Sequence, residues 1–140
     1  MILRIRPIFG RVDFLGREEL TGKLSEALGY SPAESKGQAD TDNIIRSAIR
    51  RCILHEEDGG FALVGHNISD YSREMLKDQF LASLNGGGWM ERSESIPRFA
   101  RWLGFGRTGP NIEEAARSAI NGLIRSDKLE KMGSQIRRKP

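Results

Sequence analysis

The chain has 140 residues, 38% of them hydrophobic and 29% charged, with a formal net charge of +3. That length suits one ordinary domain or two small ones, and no run approaches the roughly 18 apolar residues of a membrane helix. Residues 1–6 (MILRIR) alternate apolar and basic, unlike the apolar core of a signal peptide. The single Cys52 excludes an internal disulfide and suits a reducing, cytoplasmic setting. The charge is uneven. Residues 1–66 carry 9 Lys/Arg and 10 Asp/Glu, whereas 67–140 carry 13 and 9. A basic end is compatible with nucleic acid.

In chain order, residues 2–14 read as extended, interrupted by Pro7 and Gly10. Residues 17–28 form a helix with Leu20, Leu24, Ala27 and Leu28 on one face and Glu18 and Glu19 in its first turn. Residues 31–42, polar apart from Ala33 and Ala39 and containing Pro32 and Gly37, read as a mobile loop. A helix over about 41–53 follows, with Ile45, Ile49 and Ile53 at i, i+4, i+8. A turn at 55–60 and a short strand at 61–64 would make a first hairpin with an acidic tip.

After a link at 65–69, residues 70–84 are amphipathic and stop at Asn85-Gly86-Gly87-Gly88. Trp89-Met90 suits a short strand. Ser95 is placed to cap a helix carrying Ile96, Phe99, Ala100 and Leu103. Gly104, Gly106 and Gly109 make a turn, and Pro110 opens a longer helix. On that helix Ile112, Ala115, Ala116, Ala119, Ile120 and Leu123 form an apolar stripe. Two short strands around Met132-Gly133-Ser134 complete the pattern. Short helix, sharp turn, longer helix and hairpin spell a helix-turn-helix with a β-wing. The expected core is Leu24, Leu28, Ile45, Ile49, Phe80, Phe99, Leu103, Ile112, Ala119, Ile120 and Leu123.

The pattern recurs. Leu28-Gly29-Tyr30 echoes Leu103-Gly104-Phe105, and Arg46-Ser47-Ala48-Ile49 repeats letter for letter at 117–120. The interval between the second pair is the shorter one. Taken together the two intervals imply four extra residues between the helices of the upstream copy. The fold class is therefore α+β, mainly α, with two winged-helix units in tandem: 1–66 and 67–140. The first unit shows two helices and a hairpin. Its first helix comes from another part of a parent chain, from a partner, or does not exist.

With the apolar stripe inward, Arg117, Asn121 and Arg125 share another face at i, i+4, i+8. Arg pairs bidentately with guanine or binds phosphate, and Asn pairs with adenine. The upstream copy places Arg46 and Arg50 at the positions of Arg117 and Asn121. Arg107 and Thr108, beside helix N-terminal amides, could hold a phosphate, although their spacing is not that of a P-loop. Lys131, Arg137 and Arg138 of the second hairpin are offered to a DNA backbone. The plain alternative at each place is a solvated face or a structural turn. Glu113 and Glu114 would repel phosphate nearby. His55 and His66 lack zinc-ligand spacing, and no hydrolase or metalloprotease motif occurs. No catalytic residue, metal or cofactor is expected.

Residues 95–105 (SIPRFARWLGF), then Arg107-Thr108-Gly109, Ile112 and the helix to Leu129, resemble a winged-helix domain of unassigned function. That domain closes large bacterial helicase- and nuclease-like proteins of superfamily I type. The similarity covers about 89–138. It implies a three-helix-plus-wing fold and a DNA-handling context. It brings no catalytic residues, because the helicase and nuclease motifs belong to other domains. The upstream copy keeps LGY but lacks RTG.

The expected function is a non-enzymatic DNA-binding protein, or the DNA-positioning end of a helicase- or nuclease-type protein. Duplex DNA is the expected partner; parent or partner helicase or nuclease domains and a second copy of the chain are further candidates, and a membrane is not. The alternative is a winged-helix assembly module that binds protein and not DNA.

Overall fold

The computed structural model describes residues 2–31, 35–84 and 86–140. Met1, positions 32–34 of the expected loop and Asn85 of the expected helix stop lie outside the described residues. The chain divides into two compact units, 1–66 and 67–140. Both are α+β, and each carries a small antiparallel sheet of three strands.

The N-terminal unit runs α1 (Ile5–Phe9), β1 (Phe14–Gly16), α2 (Arg17–Ala27), α3 (Ser35–Arg50), β2 (Leu54–Glu57) and β3 (Gly60–Leu63). A 3₁₀ turn over Ile2–Arg4 leads into α1. The extended segment expected over 2–14 is thus corrected: most of it is helical. Ile5 and Phe9 stand one helical turn apart, and both are buried in the core. Pro7 falls in the first turn of α1, where its missing N–H removes no helical hydrogen bond.

The expected loop is likewise corrected, since α3 begins at Ser35. Gly37 lies so close to Tyr30 that an added Cβ would sit 2.9 Å from the Tyr30 Cβ. The Tyr30 hydroxyl donates to Asp40 Oδ2 at 2.7 Å. These contacts turn a polar run into helix. The buried side of α3 is Gly37, Thr41, Ile45 and Ala48. Ile49, expected in the core, is 37% exposed, because at about 100° per residue it falls roughly 90° from the centre of that line. Leu28 is half-buried. The core joins Ile5 and Phe9 of α1 to Leu20, Leu24, Ile45, Ala48, Leu54 and Phe61.

The C-terminal unit runs α4 (Arg73–Ser83), β4 (Met90–Glu91), α5 (Arg92–Trp102), α6 (Pro110–Arg125), β5 (Leu129–Met132) and β6 (Gln135–Arg138). Ser72 caps α4, its hydroxyl accepting from the Met75 amide at 3.2 Å. Ser95 does not cap α5 as expected. The helix starts three residues earlier, directly from β4, and Ser95 is buried with its hydroxyl donating to the Arg92 carbonyl at 2.6 Å. Phe80 and Phe99 meet at 5.2 Å between ring centroids, tilted by 60°. Leu103, Ile112, Ala116, Ala119, Ile120, Leu123, Leu129 and Ile136 complete the core.

The two units share one plan. Strand order is β1-β3-β2 in the first and β4-β6-β5 in the second. Every element from α2 onward recurs at one constant offset with unchanged length: Arg17–Ala27 as Arg92–Trp102, Ser35–Arg50 as Pro110–Arg125, Leu54–Glu57 as Leu129–Met132, and Gly60–Leu63 as Gln135–Arg138. Both long helices end alike. Cys52 and Asp127 take φ of 60° and 64°, and Ile53 and Lys128 donate to the carbonyls of Ala48 and Leu123, both at 2.9 Å. The described elements therefore show one register and no four-residue insertion. The RSAI identity is out of register by one helical turn. Arg46 corresponds to Asn121, and Arg50 to Arg125.

Two stability outcomes follow from this packing. Ile120→Ala should cost about 2–5 kcal/mol in chemical denaturation, while Ile49→Ala should stay within about 0.5 kcal/mol. Gly60 is a tighter case. A Cβ there would lie 2.4 Å from the Phe14 ring and 2.5 Å from the Leu15 carbonyl oxygen. Gly60→Ala should therefore cost about 1–3 kcal/mol, whereas Gly22→Ala, with nothing within 4 Å, should be neutral or stabilising.

Candidate nucleic-acid interface

Helix α6 buries Ile112, Ala116, Ala119, Ile120 and Leu123. The remaining circumference is forced outward, and Asn111, Glu114, Arg117, Asn121 and Arg125 are exposed on it. Arg117, Asn121 and Arg125 climb the helix at about 6 Å per step. They are not equally available. Arg117 pairs with Glu113 on the preceding turn. Asn121 accepts a hydrogen bond from the Arg92 guanidinium at 2.7 Å. Arg125 makes no side-chain hydrogen bond or ion pair among the described residues.

Arg107 and Thr108 lie exposed in the turn between α5 and α6. Gly109 precedes the helix and offers no side-chain cap, so the first amides of α6 are left to solvent or ligand. Thr108 and Arg117 share a cleft of about 540 Å³ with Glu91, Arg92, Ser93, Glu113 and Ser134. The structure thus gathers the turn, the start of α5, the face of α6 and the tip of the hairpin. Arg107 is not among the residues lining that cleft.

The hairpin divides its three basic candidates. Lys131 and Arg138 are exposed. Arg137 is half-buried: its Nε donates to Glu130 Oε2 at 2.7 Å, and its guanidinium lies 4.7 Å from the centre of the Trp89 ring. Strand alternation puts Arg137 and Ile136 on opposite faces, and Trp89 occupies the face Arg137 takes. Beyond the strand, Lys139 is held by Asp127, whose hydrogen bond raises the ammonium pKa above its ordinary value.

In the N-terminal unit Arg46 and Arg50 are exposed on α3. In the true register they match Asn121 and Arg125, and the residue matching Arg117 is Asp42. Glu56 and Glu57 stand where Lys131 and Met132 stand. Beside Arg50, Arg51 is partly buried; desolvation first, and Arg50 second, lower its pKa.

Arg92 was not singled out by sequence reasoning. One signal existed: Arg opens both α2 and α5, as Arg17 and Arg92, at the offset that relates the two units. Among the described residues no helix is long and apolar enough to cross a membrane. Comparison with family models, curated proteins and solved structures finds no match for this chain.

The Arg92–Asn121 bond can be checked directly. Arg92→Ala should free the Asn121 amide, visible as line narrowing of its side-chain NH₂ resonances, while costing less than about 1 kcal/mol of stability because the bond is exposed.

Proposed function

We propose that this chain is a non-enzymatic DNA-binding protein of two winged-helix units, in which the C-terminal unit engages duplex DNA. The observation that carries the reading is the outward face of α6. Arg117, Asn121 and Arg125 stand in line on it, between the α5–α6 turn and a hairpin bearing Lys131 and Arg138. A helix of this kind fits the major groove, where Arg recognises guanine and Asn recognises adenine. The hairpin cations and Thr108 suit phosphate, which positions the protein without specifying sequence. Excess positive charge in 67–140 favours the encounter.

The resemblance of 89–138 to the winged-helix domain closing bacterial helicase- and nuclease-like proteins points the same way. On this reading the chain positions DNA for such an enzyme or acts free-standing in the cytoplasm. The ion pair with Glu113 sets a constraint. Arg117 must exchange its carboxylate for DNA, so Glu113 acts as a competitor within the site.

Fluorescence anisotropy on random duplex DNA across a salt series tests this. Binding should weaken steeply with salt through counterion release. The Arg117→Ala/Arg125→Ala pair should lower affinity more than Arg46→Ala, with folding verified by circular dichroism. Lys131→Ala with Arg138→Ala should flatten the salt slope by about one unit for each phosphate no longer neutralised. Glu113→Gln should strengthen binding. Equal affinity of wild type and the Arg117/Arg125 double variant would remove α6 as the reader.

A further inference from the structure

The cleft between α5 and α6 has a counterpart upstream. A cleft of about 770 Å³ lies between α2 and α3. Arg17, Thr21, Gln38 and Asp42 line it where Arg92, Ile96, Glu113 and Arg117 line the other, each pair related by the offset between the units. The same crevice is built twice, and its chemistry has diverged. In the C-terminal copy two arginines face two glutamates. In the N-terminal copy Glu18, Glu26 and Asp42 line the walls, and Arg17 is the one cation among the described lining residues.

Arg17 is already committed. Its guanidinium pairs with Glu56 at 2.7 Å and lies 5.0 Å from the centre of the Phe61 ring. Glu18, Glu26 and Asp42 make no side-chain hydrogen bond or ion pair among the described residues. Ser25 also lines this cleft and is only 7% exposed. A mid-helix hydroxyl ordinarily bonds back one turn, as Thr21 does to the Arg17 carbonyl at 2.7 Å. The Ser25 hydroxyl makes no such bond among the described residues. Fully enclosed side-chain polar atoms among those residues all have partners, so the Ser25 oxygen is not fully enclosed, and Ser25 lines the cleft. The matching position in the other unit is Ala100.

We propose that the α2–α3 cleft is a binding site for an arginine-bearing segment of a partner protein. The charged groups left without partners there are carboxylates, and the Ser25 hydroxyl can accept as well. A guanidinium supplies five donors in a planar fork and satisfies carboxylates bidentately. Ser25 receives one N–H at the floor, while Asp42 and the glutamates compensate the charge. Glu18 and Glu26 are about 12 Å apart along α2. An extended peptide crosses that distance in about four residues, so a second basic residue four positions away reaches the other end.

The probe is a fluorescein-labelled nonapeptide in a Gly/Ser background with Arg at its third and seventh positions. Binding to the full chain is read by anisotropy, with a glutamine-substituted peptide as control. The arginine peptide should bind and the glutamine peptide should not. Ser25→Ala, which copies Ala100, and Asp42→Asn should each weaken binding by about tenfold or more, as expected when a hydrogen bond to a charged group is removed. Glu57→Gln with Asp58→Asn removes two charges from the hairpin tip and should leave affinity within about twofold. Equal weakening by cleft and hairpin variants, or no binding of the arginine peptide, would overturn the proposal. DNA affinity of Ser25→Ala should match wild type, so the two readings fail separately.

Discussion

One backbone hydrogen bond holds the plan of each unit together. The first amide of α2, at Arg17, donates to the Gly59 carbonyl at 3.1 Å, and the first amide of α5, at Arg92, donates to the Ser134 carbonyl at 2.8 Å. Each bond ties the start of a helix to the turn of a hairpin. An otherwise unsatisfied helix-end donor thereby becomes a strut between helix and sheet. The short strands β1 and β4 extend that strut by pairing with the inner strand of their hairpins. The second and third helices that wall each cleft have the same lengths in both units.

On this common frame the side chains have gone separate ways. Sites that tie the backbone keep their role: Leu54 and Leu129 begin the outer strands and are buried, and Cys52 and Asp127 share the left-handed exit from the long helix. Sites that face outward differ in charge. Asp42 answers Arg117, and Glu56 answers Lys131. A surface position carries little packing constraint, so its charge can change while the helix stays. The consequence is one crevice with arginines and glutamates in balance and another rich in carboxylates.

The elements with strong periodicity and clear punctuation were legible in the residues. The α6 stripe, the Gly-Pro entry to α6, the helix ending at Leu103-Gly104 and both hairpins are examples. Each rests on local signals: 3.6-residue spacing, a left-handed glycine, glycine-bearing turn segments. The line of Arg117, Asn121 and Arg125 was legible for the same reason, since the buried stripe dictates the opposite face. Less legible were elements made helical by contacts at a distance. Alternation in 2–6 and the polar run before Thr41 mislead, because burial of Ile5 and Phe9 and the seating of Gly37 against Tyr30 outweigh local propensity. The repeat register was partly visible in LGY and LGF, and the four-letter RSAI match obscured it.

By itself, the sequence determined the α+β class, most of the apolar faces and the side of α6 that meets solvent. Hydrophobic periodicity sets all of these through burial, which is indifferent to the details of a neighbour. Only the tertiary structure decided which polar groups remain available. It occupied Arg137 with Glu130 and Trp89, Asn121 with Arg92, and Arg17 with Glu56, and it left Arg125, Asp42 and the Ser25 hydroxyl without protein partners among the described residues. Hydrogen bonds are short and directional, so residues far apart in the chain must first be folded side by side before they can claim one another.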